Sequence, residues 1–153
     1  MISIHKKKNV VLSNGTKVSC QSILATENLS KFNAIYLPGG KGCEQFNSVL
    51  APKLIKFLRA NANNQKIKFL SICAATKIYG QLGMLKGVKA TCYPGCESSF
   101  KSSYVKQPVV ASKQFITANA PGAAFDFAFK VVNDLVSPAK AKEIAKAMLY
   151  KQK

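Results

Sequence analysis

Short apolar runs that end at turn residues predict the strands of this chain. Pro-Gly-Gly follows the run "FNAIYL" (32–37), and a cysteine with two alanines follows the nearly apolar run "IKFLSI" (67–72). A strand that is apolar on both sides is typical of a parallel sheet covered on both faces. Strands are also predicted for "VKATCY" (88–93), "PVVAS" (108–112) and "FITA" (115–118), and the short turn between the last two indicates a hairpin.

Apolar residues at helical spacing predict two helices in the first half of the chain. The first lies between Glu44 and Arg59, where Pro52 could interrupt it. Its apolar positions are Phe46, Val49, Leu50, Leu54, Ile55, Phe57 and Leu58. The second follows residue 73, with apolar positions at Ile78, Leu82 and Leu85.

Two more helices are predicted near the C-terminus. The segment "APGAAFDFAFKVVNDLV" (120–136) predicts a loop and then a helix whose inward positions are Phe125, Phe129, Val132 and Leu135. The last helix begins with Ser137 as N-cap and Pro138 at the first helical position. Its apolar positions are Ile144, Met148 and Leu149.

The order of these elements predicts an α/β fold with a largely parallel, covered sheet. A chain of 153 residues is typical of one domain, which we assign to 1–153. The N-terminal residues predict a strand fragment, "ISI" (2–4), and a small hairpin about Asn14-Gly15. A doubly wound sheet normally begins with a full strand and a covering helix, and the sequence predicts neither here.

The net charge of +17 indicates a lysine-rich surface. Arg59 is the one arginine among 23 basic residues, and the lysines are scattered through every segment. Base readout and bidentate phosphate binding favour arginine, and no segment interleaves basic with aromatic residues. We therefore predict no nucleic-acid-binding function beyond a weak, salt-sensitive attraction to polyanions.

Hydropathy predicts a soluble protein with no membrane segment. Apolar residues make up 48% of the chain and charged residues 19%, a balance typical of globular proteins. No apolar run approaches the roughly 20 residues that a membrane-spanning helix needs. The N-terminus lacks the pattern of a secretory signal, so we expect a cytoplasmic protein.

The five cysteines predict neither a disulfide framework nor a metal site. Their number is odd, and no export signal is present. The chain has no Cys-x-x-Cys motif, its single histidine is His5, and Cys92 and Cys96 flank a Tyr-Pro-Gly turn. We predict no metal and no cofactor.

Cys73 lies where a buried strand meets a helix. In parallel sheets this carboxyl edge is where ligands bind, and the strand-turn-helix order resembles a nucleophile elbow. The N–H groups of the helix's first turn, with the helix dipole, would stabilise a thiolate. A second interpretation stays open, because cysteine is also one of the residues most often buried in a core.

Three motifs together resemble the ThiJ/PfpI superfamily, which includes the Parkinsonism-associated deglycases. They are "AIYLPGG" (34–40), "FLSICAAT" (69–76) and "ITANAPGAAFDFAFKVV" (116–132), and the resemblance extends over most of residues 10–150. It implies a flavodoxin-like three-layer sandwich, a dimeric protein and a reactive cysteine. Relative to that family, the first strand and helix are expected to be missing.

The resemblance also implies roles for individual residues. Cys73 matches the nucleophile, and Gly39, Gly40 and Ala74 match the oxyanion contacts. Asn119, Pro121 and Gly122 match the loop that borders the pocket.

Two family residues have no counterpart in the sequence. The family's glutamate lies on the first helix, and its histidine lies in the segment that here is "CESSFKSSYVK" (96–106), which contains no histidine. Of the six acidic residues, Glu44 and Glu97 follow loops that could border the site, whereas Asp126 is expected to be structural.

Two functions follow from the resemblance and remain open. The first is a glyoxalase or deglycase in which Cys73 adds to a small reactive aldehyde. The second is a redox-responsive or chaperone-like stress protein in which a peroxide oxidises Cys73. A chain shortened at its N-terminus, as a degenerate copy, is a third interpretation.

Overall fold

The computed structural model describes residues 1–44 and 51–151. Within these residues the strands are β1 (Ile2–Ser3), β2 (Asn9–Val11), β3 (Lys17–Ser19), β4 (Ser22–Ile23), β5 (Ala34–Leu37), β6 (Lys68–Ile72), β7 (Val109–Ser112) and β8 (Phe115–Ala118). The α-helices are α1 (Pro52–Ala60), α2 (Thr76–Gln81), α3 (Ala124–Leu135) and α4 (Pro138–Ala147). The predicted positions Phe46, Val49 and Leu50 lie outside the described residues.

The main sheet has four strands in the order β5-β6-β8-β7. β5, β6 and β8 are parallel, and β7 pairs antiparallel with β8. The hairpin predicted for residues 108–118 is therefore confirmed. β2 and β3 form the second predicted hairpin, in which Gly15 has a φ of 85°, a value that favours glycine.

Side chains of the sheet alternate between two cores, because successive residues of a strand point to opposite faces. Phe69 and Phe115 pack with Leu54 and Leu58 of α1 and with Ile78 of α2. Leu70, Ile72 and Ile116 pack on the other face, against Phe127 of α3. Helices thus cover the sheet on both sides, which makes the fold a flavodoxin-like three-layer α/β sandwich with a mostly parallel sheet, as predicted.

The helix boundaries differ from the predictions in physically simple ways. Within the described residues α1 begins at Pro52, a favourable start because proline at the first helical position loses no hydrogen bond. α2 ends at Gln81, before Leu85, since Gly83 takes a φ of 73° that ends the helix. Leu85 is nevertheless buried in the core.

The inward face of α3 was predicted partly wrongly. Phe127 and Phe129 are buried, whereas Phe125 is 53% exposed and Leu135 is 44% exposed. Phe125 packs instead on the ring of Tyr150, with the ring centroids 5.3 Å apart. Phe125 and Leu135 lie at the two ends of α3, which packs against α4. Both residues are therefore at the edge of the core.

The N-terminus of α4 is as predicted. Ser137 is the N-cap, and its hydroxyl accepts a hydrogen bond from the Lys140 N–H at 3.1 Å. The helix ends at Ala147, and Leu149 beyond it is 91% exposed.

The predicted strand at 88–93 is wrong. The segment makes a single bridge, between Ala90 and Tyr104, and joins no sheet. The Thr91 N–H donates to the side-chain Oγ1 of Thr117 at 2.9 Å, where a strand would use a backbone carbonyl. This segment therefore crosses a face of the sheet and does not extend it.

Among residues 1–44 and 51–151, we find no helix with the length and apolar character needed to span a membrane.

Candidate functional site

The strand register brings three turns to one edge of the sheet. Leu37 of β5 is opposite Ser71 of β6, and Ile72 of β6 is opposite Ala118 of β8. All three strands are parallel, so the residues that follow them leave the sheet side by side. The Pro-Gly-Gly turn, Cys73 and the loop beginning at Asn119 are therefore neighbours.

Cys73 is held in an unusual backbone conformation. Its φ is 61°, in the left-handed region that is uncommon for a residue other than glycine. Residues Cys73–Ala75 form a single 3-10 turn between β6 and α2, and the Cys73 side chain is half-buried. Strained backbone of this kind is stabilised by its surroundings and occurs often at functional sites.

A buried hydrogen bond closes the base of this turn. The hydroxyls of Ser71 and Thr76 lie 2.9 Å apart, and both residues are fully buried. One residue belongs to the strand before Cys73 and the other to the helix after it. Their contact therefore fixes the angle between strand and helix at the cysteine.

Gly39 packs directly against the cysteine. A Cβ atom at this position would lie 2.6 Å from the Cys73 Cβ and 2.9 Å from the Ile72 carbonyl oxygen. Neither atom is the free end of a flexible side chain, so only glycine fits. The close approach explains the glycine of the first motif by geometry, and Gly40 next to it has a φ of 108°.

Replacing Gly39 with alanine is expected to slow alkylation of Cys73 and to destabilise the fold by about 1–3 kcal/mol, because the new methyl group displaces the strained turn. The rate is measured with iodoacetamide by mass spectrometry of the Phe69–Lys77 peptide, and the stability by urea unfolding.

Gly42→Ala is the matched control for this change. A Cβ at Gly42 has no atom within 4 Å and its φ is not positive, so both values should stay near those of the wild type. Equal alkylation rates in Gly39→Ala and the wild type would contradict the steric argument.

The other residues predicted to border the site have different positions around Cys73. Ala74 is in the same 3-10 turn and is half-buried. Asn119 is half-buried and its N–H donates to the Pro108 carbonyl at 2.9 Å. Pro121 and Gly122 are exposed and begin the short turn before α3.

A fourth segment, from Cys92 to Glu97, lies beside the turn and was largely missed by the sequence analysis. The Tyr93 N–H donates to the Cys73 carbonyl oxygen at 3.2 Å. The Cys96 N–H donates in turn to the Tyr93 carbonyl at 3.0 Å, which closes the Tyr-Pro-Gly-Cys turn. The backbone of this turn is thus hydrogen-bonded to the backbone of Cys73.

Tight packing on α2 supports the same segment. A Cβ at Gly80 would meet the Ser99 hydroxyl and the ring of Phe100, so the chain after Glu97 lies directly on the helix. The Ser99 hydroxyl also donates to the Lys77 carbonyl at 3.3 Å.

Cys92 is fully buried and interacts electrostatically with Cys73, Cys96 and Glu97. We call these four residues the thiol cluster. Burial, together with the nearby charges of Cys96, Glu97 and Cys73, raises the pKa of Cys92 to about 12. Its Sγ lies 4.0 Å from the Glu97 carboxylate. The Cys92 thiol therefore remains protonated at neutral pH. Its neighbours are the half-buried thiols of Cys73 and Cys96 and the carboxylate of Glu97.

Glu97 is the acidic residue that the described structure brings to this cluster. Glu27, Asp134 and Glu143 each form an ion pair with a lysine three or four residues away. Asp126 accepts a hydrogen bond from the Tyr150 hydroxyl at 3.0 Å, which agrees with the structural role expected for it. The side chain of Glu44 lies outside what the structure describes.

All five cysteines lie in the described residues, and none is disulfide-bonded. Within the same residues, no group of three or more His, Cys, Asp or Glu side chains has an arrangement that would hold a metal ion.

The DJ-1/PfpI family model matches residues 1–134 of the chain. Protein dj-1beta of Drosophila melanogaster is 29% identical over 149 residues, which cover 90% of this chain and 79% of the relative. A Caenorhabditis elegans protein named glutathione-independent glyoxalase DJR-1.2 is 25% identical, over 91% of this chain and 74% of that protein. A protein of Pyrococcus abyssi named a deglycase is 24% identical, over 80% and 74%.

Solved structures agree with the fold. The structure of oxidized DJ-1 from Toxoplasma gondii superposes with a TM-score of 0.85 at 24% identity, covering 99% of this chain and 82% of that one. At this level of identity, the similarity concerns the three-layer architecture.

Proposed function

The chain belongs to the DJ-1/PfpI family, and from this premise we propose that it acts on small reactive aldehydes through Cys73, as a glyoxalase or deglycase. The names of two relatives, a glyoxalase and a deglycase, support this reaction class. The observation that carries the proposal is the conformation of Cys73. A half-buried thiol with a φ of 61° at the carboxyl edge of a parallel sheet is typical of a nucleophile elbow.

The first chemical step is addition of the Cys73 thiolate to the aldehyde carbon. The S–C bond forms while the carbonyl π electrons move to oxygen, which gives a hemithioacetal alkoxide. The backbone N–H groups of Ala74 and Gly40 are proposed to stabilise this oxygen, because Ala74 follows Cys73 in the same turn and Gly40 follows Gly39, which packs against Cys73. Preorganised N–H donors of this kind stabilise a developing oxyanion by about 3–4 kcal/mol.

A proton carrier is then needed, and we propose Glu97. Its carboxylate lies 4.0 Å from the Cys92 Sγ, and both Glu97 and Cys73 are close enough to Cys92 for their charges to raise its pKa. A carboxylate near the hemithioacetal removes the proton from its carbon and returns it to the neighbouring carbon of an α-oxoaldehyde. The resulting thioester reacts with water, which gives an α-hydroxy acid and regenerates the thiol.

The test is consumption of methylglyoxal by the reduced protein in the absence of glutathione, with detection of the hydroxy acid. We expect turnover that is saturable and proportional to protein concentration. Failure to consume methylglyoxal, together with failure to release amino groups from glycated model peptides, would contradict the proposal. A spontaneous thiol reaction is excluded by showing that each protein molecule converts many aldehyde molecules.

A further inference from the structure

We propose that Cys96 is a resolving thiol for Cys73: after a peroxide oxidises Cys73, Cys96 forms a disulfide with it. This modification site goes beyond the aldehyde chemistry. It requires that Cys73 react with a peroxide, and it does not require that the protein turn over an aldehyde.

The backbone connects the two cysteines through two hydrogen bonds. Tyr93 donates to the carbonyl oxygen of Cys73 at 3.2 Å, and Cys96 donates to the carbonyl oxygen of Tyr93 at 3.0 Å. The turn that contains Cys96 is therefore attached to the residue that becomes oxidised. Because the 3-10 turn of Cys73 is fixed from below by Ser71 and Thr76, the attached turn is the element free to adjust.

The exposure of the turn fits this adjustment. Tyr93, Pro94 and Gly95 are exposed, and Gly95 already has a φ of 89°. A disulfide needs the two Sγ atoms to approach to about 2.05 Å. The exposed residues Tyr93, Pro94 and Gly95 belong to neither core of the sandwich, so the turn that carries Cys96 can change conformation through them.

The surroundings of the three thiols select Cys96 over Cys92. Cys73 and Cys96 are half-buried, whereas Cys92 is fully buried. Burial raises the pKa of Cys92 to about 12, so its thiolate is scarce at neutral pH. Since the thiolate is the attacking species, Cys96 is the better nucleophile of the two.

The chemistry balances in two steps. The Cys73 thiolate attacks the peroxide, the O–O bond breaks, and Cys73 becomes a sulfenic acid while an alkoxide or hydroxide leaves. The Cys96 thiolate then attacks the sulfenic sulfur and expels hydroxide, which takes a proton to become water. The peroxide is reduced by two electrons, and the two thiols together are oxidised by two electrons.

Tryptic peptides distinguish the possible disulfides. Cys73 is the cysteine of the peptide Phe69–Lys77, whereas Cys92 and Cys96 share the peptide Ala90–Lys101. The protein is treated with one equivalent of hydrogen peroxide, and the remaining thiols are then blocked. A disulfide between Cys73 and either Cys92 or Cys96 links the two peptides. A bond between Cys92 and Cys96 leaves Ala90–Lys101 alone, lighter by two hydrogens.

We expect the linked peptides in the wild type and in Cys92→Ser, and their loss in Cys96→Ser. In Cys96→Ser the sulfenic acid persists, so labelling of Cys73 by dimedone increases several-fold. Linked peptides that persist in Cys96→Ser, or a wild type that forms only the internal Cys92–Cys96 bond or no disulfide at all, would overturn the proposal. Methylglyoxal turnover of the reduced variants is measured separately, so failure of the proposed enzymatic function is distinguished from failure of this inference.

Discussion

Replacing Cys73 with serine is expected to reduce methylglyoxal turnover about 1000-fold or more. A hydroxyl is a weak nucleophile unless a base is positioned to take its proton, whereas a thiol ionises readily near neutral pH. The serine side chain fits the same space, so the 3-10 turn and the hydrogen bond between Ser71 and Thr76 should persist. The loss should therefore appear in kcat/KM without a loss of folded protein.

Cys20→Ala is the matched control for the loss of a thiol. Cys20 is buried next to the hairpin of β2 and β3, and its N–H donates to the Lys8 carbonyl. Its replacement should leave turnover within about twofold of the wild type, provided that circular dichroism shows a folded protein. If Cys73→Ser were as active as the wild type, the thiol would not be the nucleophile.

Replacing Phe69 with alanine is expected to lower the free energy of unfolding by about 3–5 kcal/mol. Phe69 is fully buried, and its ring lies 5.2 Å from that of Phe115 and 5.8 Å from that of Tyr79. Truncation leaves a cavity between β6, β8 and α2 that the close-packed rings cannot fill. For a chain of this size the midpoint of thermal unfolding should fall by about 10 °C.

Phe125→Ala is the comparison for this effect. It removes the same ring from a residue that is 53% exposed, so the cost should stay near 1 kcal/mol, mostly from the contact with Tyr150. Equal losses for the two variants, measured by urea unfolding, would contradict the assignment of Phe69 to the centre of the core.

The parts of the fold that the sequence predicted well are those governed by local signals. Apolar runs closed by turn residues located β5 and β6, and a serine followed by a proline located the start of α4. The error at 88–93 has a different origin. Its residues are typical of a strand, but the Thr91 N–H donates to the side-chain hydroxyl of Thr117 and not to a backbone carbonyl of a neighbouring strand. A side-chain acceptor that is distant in sequence leaves no signal in the local pattern of residues.

The candidate site was predictable where it depends on turns after strands and not where it depends on tertiary contacts. Cys73 and the glycines of the Pro-Gly-Gly turn follow apolar runs, so their meeting at one sheet edge follows from parallel pairing. The segment from Cys92 to Glu97 reaches Cys73 through a backbone hydrogen bond from Tyr93. The spacing of Cys92 and Cys96 about a Pro-Gly turn was the available signal, and it gave no indication of which residue they would approach.

The hydroxyl pair of Ser71 and Thr76 has a consequence for how this protein diversifies. Both residues are fully buried, and their hydrogen bond sets the angle between strand and helix at Cys73 from within the sandwich. The surroundings of the thiol come instead from separate loops, after β5, after β8 and at the Tyr-Pro-Gly-Cys turn. If Cys73 acts as proposed, mutation can alter substrate preference one loop at a time while the sulfur keeps its orientation, so preference and reactivity would evolve independently.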